Sequence, residues 1–337
     1  MRDRHTVRSR RSRAGRPADS RHRSAPAVSA PGRVEERQVR SADGARIHVE
    51  IHGPAGAPTI VLAHGVLCAL GFWRNQIAAL SGEYRVVAFD HRGHGRSESP
   101  RRGRYTLDHL ADDLHAVLSA TVPADRPAVL AGHSLGGIAV MAWANRYPDE
   151  VAVRTRAVAL VNTTPGEILD NVMFLRGPQR LLGARLRVAR TVVPLAGLPL
   201  PRRMPVRRRL LSYIALAPVA AQRVGRELDR MIAATSARGR GGYGAMLVNL
   251  VTVLDPSSLT VPTLVIAGSR DKIAPPARSR VIASALPRLI ELREFDTGHC
   301  GPLECADEIT AALRELAAYP GESVAPRRDG LDEWVVG

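Results

Sequence analysis

The sequence predicts a doubly wound α/β fold: a mostly parallel central sheet with helices on both faces and a helical cap inserted late in the chain. Three observations carry that reading. Continuous apolar runs such as Thr59-Ile60-Val61-Leu62-Ala63 recur at spacings that leave room for a helix between them, as strands buried on both faces of a parallel sheet require. One such run passes through Gly132-His133-Ser134-Leu135-Gly136 straight into a helical pattern. Between Asn162 and Leu259 the strand-helix rhythm stops, leaving helical stretches broken by Pro and Gly.

At 337 residues and 45% hydrophobic content, the chain can build one large domain or two small ones with a substantial core. The composition suits a soluble globular enzyme. The formal net charge of +16 is carried by arginine, since Lys272 is the only lysine. Such a balance attracts polyanions and anionic membranes, which bears on association and not on fold. Residues 1–33 combine arginines with Ser, Ala and Pro and almost no large apolar side chain. They bury too little surface to offset chain entropy and are expected to form a disordered tail. No apolar stretch follows the arginines, so Arg10-Arg11 does not read as a secretory start and a cytoplasmic protein is expected. The tail lacks the interleaved aromatics of a nucleic-acid-binding arm, and nucleic acid is not an expected partner.

From Val34 the pattern becomes globular. Val34 to Arg40, the turn Ser41-Ala42-Asp43-Gly44 and the alternating Ile47, Val49 and Ile51 predict a β-hairpin. Thr59 to Ala63 is the first fully buried strand. Gly71 to Leu80 reads as a helix and Arg85 to Phe89 as a strand. Leu107 to Ala120 is a helix with Leu110, Leu114 and Leu118 on one face, and Ala128 to Ala131 is a further strand. Leu135 to about Arg146 is a helix. Ala157 to Val161, Thr263 to Ala267 and Leu289 to Phe295 are strands, and Ile309 to Leu316 is the closing helix. Right-handed crossovers between these units give the doubly wound sheet.

The spacing G-x-S-x-G fits a sharp strand-to-helix turn, where residues without Cβ let the serine adopt a strained backbone and stand its hydroxyl out alone. The helix beginning at Leu135 points its free N–H groups and positive end to where an oxyanion would form. His64-Gly65-Val66 follows the third strand, Asp90-His91-Arg92-Gly93-His94-Gly95-Arg96-Ser97 the fourth, and the serine turn the fifth; Gly268-Ser269-Arg270-Asp271 and Gly298-His299-Cys300-Gly301-Pro302-Leu303-Glu304 come later. In this order the residues resemble the α/β-hydrolase fold family from about Val34 to Ala318. The resemblance implies a core of residues 34–162 and 260–318, a cap at 163–259 and a loosely attached tail at 319–337. It also implies a catalytic set in the chain order Ser134, Asp271, His299. The backbone N–H groups of Val66 and Leu135 would be the oxyanion donors.

The chemistry calls for these residue types. A serine hydroxyl is a weak nucleophile at neutral pH, and a histidine can take its proton and return it. An aspartate fixes the imidazole tautomer and stabilises the imidazolium. His64, His91, His94 and His133 are expected to be hydrogen-bonding scaffold. Asn162 stands where some members of the family place their acid; being an amide, it leaves the role to Asp271. Serine as nucleophile disfavours the activities of members that use aspartate there, such as epoxide hydrolases and haloalkane dehalogenases. Ester, thioester, lactone or carbon–carbon hydrolysis and cofactor-free perhydrolysis of the haloperoxidase type all fit a serine triad, and carboxylic ester hydrolysis is the expected reaction on a small-molecule acyl substrate. A non-catalytic binding protein on the same fold would show a broken triad, and here all three members are present.

No cofactor is expected, because the glycine pairs lack a phosphate-loop lysine. No metal is expected either: Cys68, Cys300 and Cys305 have no metal-ligand spacing and read as structural thiols. In the cap, Val206, Leu210 and Ile214, and then Val224, Leu228, Met231 and Ile232, recur at helical spacing and are expected to pack inward. Arg202, Arg203, Arg207, Arg208 and Arg209 abut Leu210, Leu211, Tyr213 and Ile214. That composition suits either a solvated face or contact with an anionic membrane surface. Thr191 to Pro201 is apolar but too short to span a bilayer. The oligomeric state is not encoded in any pattern here.

Overall fold

The computed structural model describes residues 34–166, 205–218, 220–250 and 254–320, with scattered positions between 179 and 191. The expected tail at residues 1–33, all of the expected 319–337 tail except Tyr319 and Pro320, the apolar stretch after Thr191, and Arg202 and Arg203 lie outside the described residues.

The strands are β1 (Glu35–Arg40), β2 (Arg46–His52), β3 (Thr59–Ala63), β4 (Arg85–Phe89), β5 (Ala128–His133), β6 (Thr155–Val161), β7 (Thr263–Gly268) and β8 (Leu289–Phe295). They form one sheet in the order β1-β2-β4-β3-β5-β6-β7-β8. The β1-β2 hairpin is antiparallel and meets β4 antiparallel, while β4, β3, β5, β6, β7 and β8 run parallel. The helices are α1 (Arg74–Leu80), α2 (Leu107–Thr121), α3 (Leu135–Arg146), α4 (Pro148–Arg154), α5 (Pro205–Ala215), α6 (Ala221–Ala234), α7 (Ala237–Val248), α8 (Pro276–Ala285), α9 (Gly301–Glu304) and α10 (Ala306–Ala318).

Alternation along each strand divides the core into two layers. Val61 and Ala63 of β3, Val87 and Phe89 of β4 and Leu130 of β5 pack with Leu114 and Leu118 of α2, Ile138 and Met141 of α3 and Ile282 of α8. Their neighbours Ile60, Leu62, Val86, Ala88 and Val129 face the other way, onto Ile77 and Leu80 of α1 and Leu313 and Leu316 of α10. Both faces of the parallel strands are therefore covered, which is why those strands read as unbroken apolar runs. Ten consecutive residues of α3, Leu135 to Ala144, are buried.

Three expectations shift. The segment expected as one helix from Gly71 begins as a 3-10 turn, Leu70–Trp73, before α1. The Leu70 N–H donates to Asp90 Oδ1 at 2.7 Å and Phe72 and Trp73 are buried, so the first turn is pulled tight, as helix starts often are. β5 runs on to His133 because its parallel pairing with β6 continues to Val161. Leu210 does not pack inward but is 56% exposed. Ser212 and Ala215 of α5, with Leu216 just past its end, take the inner side instead at i, i+3, i+4 spacing, which turns Arg209, Leu210 and Tyr213 outward. Val224, Leu228 and Ile232 of α6 are buried as the pattern requires, while Met231 packs half-buried; the side chains of Val206, Arg207 and Leu211 lie outside the described residues. No helix among the described residues is long and apolar enough to cross a membrane.

Candidate active site

The segments after β3, β5, β6, β7 and β8 converge at the C-terminal ends of the parallel strands, the end at which open α/β sheets build their sites. Ser134 ends β5 and starts α3 with φ 50° and ψ −113°, a region that serine rarely visits. Neighbouring groups hold it there. Its N–H donates to the Val161 carbonyl at 3.0 Å, and Thr163 Oγ1 donates to its carbonyl at 2.7 Å. The flanking glycines are a packing necessity: a Cβ on Gly132 would lie 2.5 Å from the Gly136 carbonyl oxygen, and one on Gly136 would collide with the Ala63 carbonyl of β3.

The structure brings Ser134, His299 and Asp271 together. Ser134 Oγ lies 2.9 Å from His299 Nε2, and His299 Nδ1 lies 2.7 Å from Asp271 Oδ2. Asp271, on the loop after β7, is 4% exposed, and His299, after β8, is 6% exposed. Asp271 Oδ1 accepts from the Ile273 and Ala274 N–H groups at 2.8 and 2.9 Å. With one oxygen fixed by two amides, the other faces the imidazole. These contacts assign the proton to His299 Nδ1, leaving the Nε2 lone pair for the serine hydroxyl. Val66 and Leu135, the expected oxyanion donors, both line the cavity at Ser134.

Two supporting residues were not assigned these tasks from sequence. Asn162, at φ 47°, donates from Nδ2 to Asp271 Oδ2 at 3.1 Å and to the Gly298 carbonyl at 3.3 Å. Its amide character, weighed above only as the lack of an acid, is what lets it support one. Asparagine tolerates this left-handed backbone better than most side chains. Glu304 accepts from the N–H groups of Ala217, Gly298 and Cys300 at 2.8, 3.0 and 2.9 Å. One carboxylate thereby ties the loop carrying His299 to the segment after α5. Burial raises the Glu304 pKa, opposed by those three N–H donors. Its place in the loop was legible, but not its partners.

His64, His91, His94 and His133 hold the surrounding loops by hydrogen bonds. His64 Nε2 accepts from the His91 N–H at 3.0 Å while its Nδ1 lies 2.7 Å from the Gly65 carbonyl. His91 Nε2 lies 3.0 Å from the His64 carbonyl. His94 Nε2 accepts from the Leu67 N–H at 3.0 Å, fixing the chain just beyond Val66. His133 Nε2 lies 2.7 Å from the His299 carbonyl and its ring stacks on Phe72. Arg92, fully buried, braces the loop after β4 by a two-point pair with Asp113 at 2.6 and 2.7 Å.

Burial lowers the pKa of His64 to about 4 and of His94 to about 3, and depresses His91 and His133 as well. A histidine whose folded pKa is depressed stabilises the fold fully above its unfolded pKa of about 6.5, and that contribution is lost as pH falls. Below about pH 6.5 the unfolded chain takes up protons that the folded chain refuses. Stability is therefore expected to fall by up to about 2 kcal/mol per buried histidine between pH 7 and pH 5, a window above the titration of ordinary carboxylates. Urea unfolding at half-unit pH steps checks this. A midpoint flat across the window would contradict neutral burial.

The cavity at Ser134 has a volume of about 140 Å³ and is walled by apolar side chains including Ile138, Leu228, Ile232 and Leu247. Larger cavities of about 720 Å³ lie elsewhere, but they do not hold the serine. Cys68 and Cys300 also touch the site; burial raises Cys68 to about 12 and Cys300 well above its ordinary value, so both are neutral thiols at physiological pH. Among the described residues, no group of three or more His, Cys, Asp or Glu side chains is arranged to hold a metal ion.

Comparison with known proteins agrees with this architecture. The family model for the alpha/beta hydrolase fold matches residues 58–305. The protein named "Putative carbamate hydrolase RutD" of Klebsiella pneumoniae subsp. pneumoniae is 30% identical over 274 residues, covering 77% of this chain and 91% of that protein. The "Probable oxidoreductase EphD" of Mycobacterium tuberculosis is 29% identical over 301 residues, 83% of this chain and 49% of that protein. The chain thus spans about half the length of the EphD relatives. Among solved structures, the enol-lactonase from Burkholderia xenovorans LB400 is 27% identical with a TM-score of 0.66, covering 84% of this chain and all of that one.

Proposed function

The chain belongs to the α/β-hydrolase fold family, and from that membership and the site just described we propose that it is a serine hydrolase cleaving small carboxylic esters. The observation that carries the proposal is the relay from Ser134 Oγ through His299 to Asp271, at 2.9 and 2.7 Å, set in a strained turn beneath an apolar cavity. In this reading Ser134 attacks the acyl carbon while His299 Nε2 takes the hydroxyl proton. The carbonyl oxygen, now negative, is held by the Val66 and Leu135 N–H groups; a single donor of this kind is worth about 100 to 1,000-fold in rate. Collapse of the tetrahedral intermediate expels the alcohol, which takes the proton from His299. A water then gives its proton to His299, attacks the acyl-serine, and releases the acid and the free hydroxyl.

Asp271 keeps the imidazole turned toward Ser134 and stabilises the imidazolium as it forms. Asn162 and Glu304 act on position, one on the acid and the other on the histidine loop. Residues 163–259 form the cap in this account, with Leu228 and Ile232 of α6 bounding the acyl side of the cavity. A volume of about 140 Å³ is well below the roughly 300–1,000 Å³ of sites that enclose drug-sized ligands, which favours short acyl chains. Lactone hydrolysis is the second reading, favoured by the likeness to the enol-lactonase; it uses the same steps with the alcohol still tethered. Perhydrolysis and carbon–carbon cleavage share the serine site but have no separate observation in their favour.

A panel of 4-nitrophenyl esters from acetate to octanoate, with small lactones beside them, tests the proposal. The expected result is measurable turnover of the acetate, with kcat/KM falling at least about tenfold by the octanoate as methylenes outgrow the pocket. A rate that rises steadily with chain length would contradict the pocket assignment.

A further inference from the structure

One of the larger cavities, of about 720 Å³, has Arg208, Arg209, Arg226, Lys272 and Tyr213 among its walls. Among the described residues, the lining holds four cations and no carboxylate. Lys272, the only lysine of the chain, is fixed in place: its Nζ donates to the Tyr213 carbonyl at 2.9 Å and sits 3.7 Å from the centre of the Tyr213 ring. Glu227, next to Arg226 on α6, pairs with Arg74 rather than closing the cavity.

Two chain segments form a party wall with the candidate active site. Lys272 directly follows Asp271, and the next residues, Ile273 and Ala274, line the Ser134 cavity. Leu216 lines the cationic cavity while Ala215 lines the other, and the Ala215 carbonyl accepts the His299 N–H at 2.8 Å. Adjacent Cα atoms are about 3.8 Å apart, so residues one or two backbone steps from one another line the two cavities. Four like charges around one concavity repel one another, and their field concentrates there, so an anion is the ligand that relieves it.

We propose that this cavity binds an anionic group, a carboxylate or phosphate, carried by the substrate whose acyl carbon reaches Ser134; the inference rests on the serine-hydrolase reading and narrows its substrate class to small anionic esters. The cations ring a concavity whose size falls within the range of small-molecule sites, which favours a soluble ligand over the flat face of an anionic bilayer.

Three probes decide it: phenyl acetate, 4-carboxyphenyl acetate and the monophenyl ester of succinic acid, which carry no charge, a charge on the alcohol side, and a charge on the acyl side. Each kcat/KM is divided by the ester's own rate of hydroxide hydrolysis. The expected result is that at least one anionic ester exceeds phenyl acetate by about tenfold at low salt, as several partly exposed charge pairs acting together allow. The advantage shrinks in 0.5 M NaCl, where screening acts over a few ångströms. In the triple variant Arg208→Gln, Arg209→Gln, Arg226→Gln the ratio of anionic to neutral ester is expected to collapse toward one. The single variant Arg209→Gln, at an exposed position, gives the same direction if the triple variant is unstable.

A ratio unchanged by these substitutions overturns the proposal. So does loss of sedimentation with phosphatidylglycerol vesicles while the ester ratio stays fixed, since the cations would then serve a lipid headgroup. Failure to hydrolyse any of the three esters, together with an unreactive Ser134, would instead overturn the serine-hydrolase reading and this inference with it.

Discussion

Ser134→Ala is expected to lower kcat on a short ester by about 10⁴ to 10⁶-fold while leaving the thermal midpoint within a few degrees. The loss is large because, among the described residues, no other nucleophile beside the serine is free to replace it. Thr163 spends its hydroxyl on the Ser134 carbonyl, and the neighbouring thiols of Cys68 and Cys300 are kept protonated by burial. The fold is spared because Ser134 Oγ contacts His299 Nε2 while the turn is held by backbone bonds to Val161 and Thr163. Initial rates on 4-nitrophenyl acetate, with a melting curve beside them, check both halves. A variant within about tenfold of the parent would remove Ser134 from the chemistry.

Asp271→Asn is expected to cost about 10⁴-fold in kcat with the fold intact, and the hydrogen bonds around the carboxylate say why. Oδ1 accepts from two backbone amides, Ile273 and Ala274, so the oxygen of an introduced amide would stay there. Its NH₂ would then take the place of Oδ2, facing the Asn162 Nδ2 donor and His299 Nδ1. Two donors cannot share that contact with Asn162. His299 would have to turn a lone pair toward the new amide, moving its proton to Nε2, where it can no longer accept from Ser134. Steady-state rates on the same ester, with circular dichroism as the folding control, measure the effect. Turnover equal to the parent would place the acid elsewhere.

Much of this arrangement was legible in the sequence because its causes are local. A strand buried on both faces must be apolar throughout, so Thr59–Ala63 and Ala128–Ala131 announce themselves. A glycine that must clear a neighbouring carbonyl cannot be replaced cheaply, so Gly132 and Gly136 frame Ser134 visibly. Other features depend on contacts between residues far apart in the chain, and no local pattern encodes them. Glu304 reads as one more residue of the histidine loop until Ala217, Gly298 and Cys300 turn their N–H groups on it. Asn162 looks like a lost acid until its backbone, at φ 47°, aims its amide at Asp271. Leu210 was misplaced because helical spacing fixes which residues share a face of α5, not which face turns inward; Ser212, Ala215 and Leu216 take that side.

Covalent trapping asks whether Ser134 is a nucleophile activated by His299. The protein is incubated with a fluorophosphonate near pH 7.5, digested, and the modified peptide mapped by mass spectrometry. The account predicts one stoichiometric adduct on Ser134, formed at least about a hundredfold more slowly in Asp271→Asn and absent from Ser134→Ala. Unmodified Ser134 in the folded protein, or equal labelling of Ser134→Ala, would contradict it.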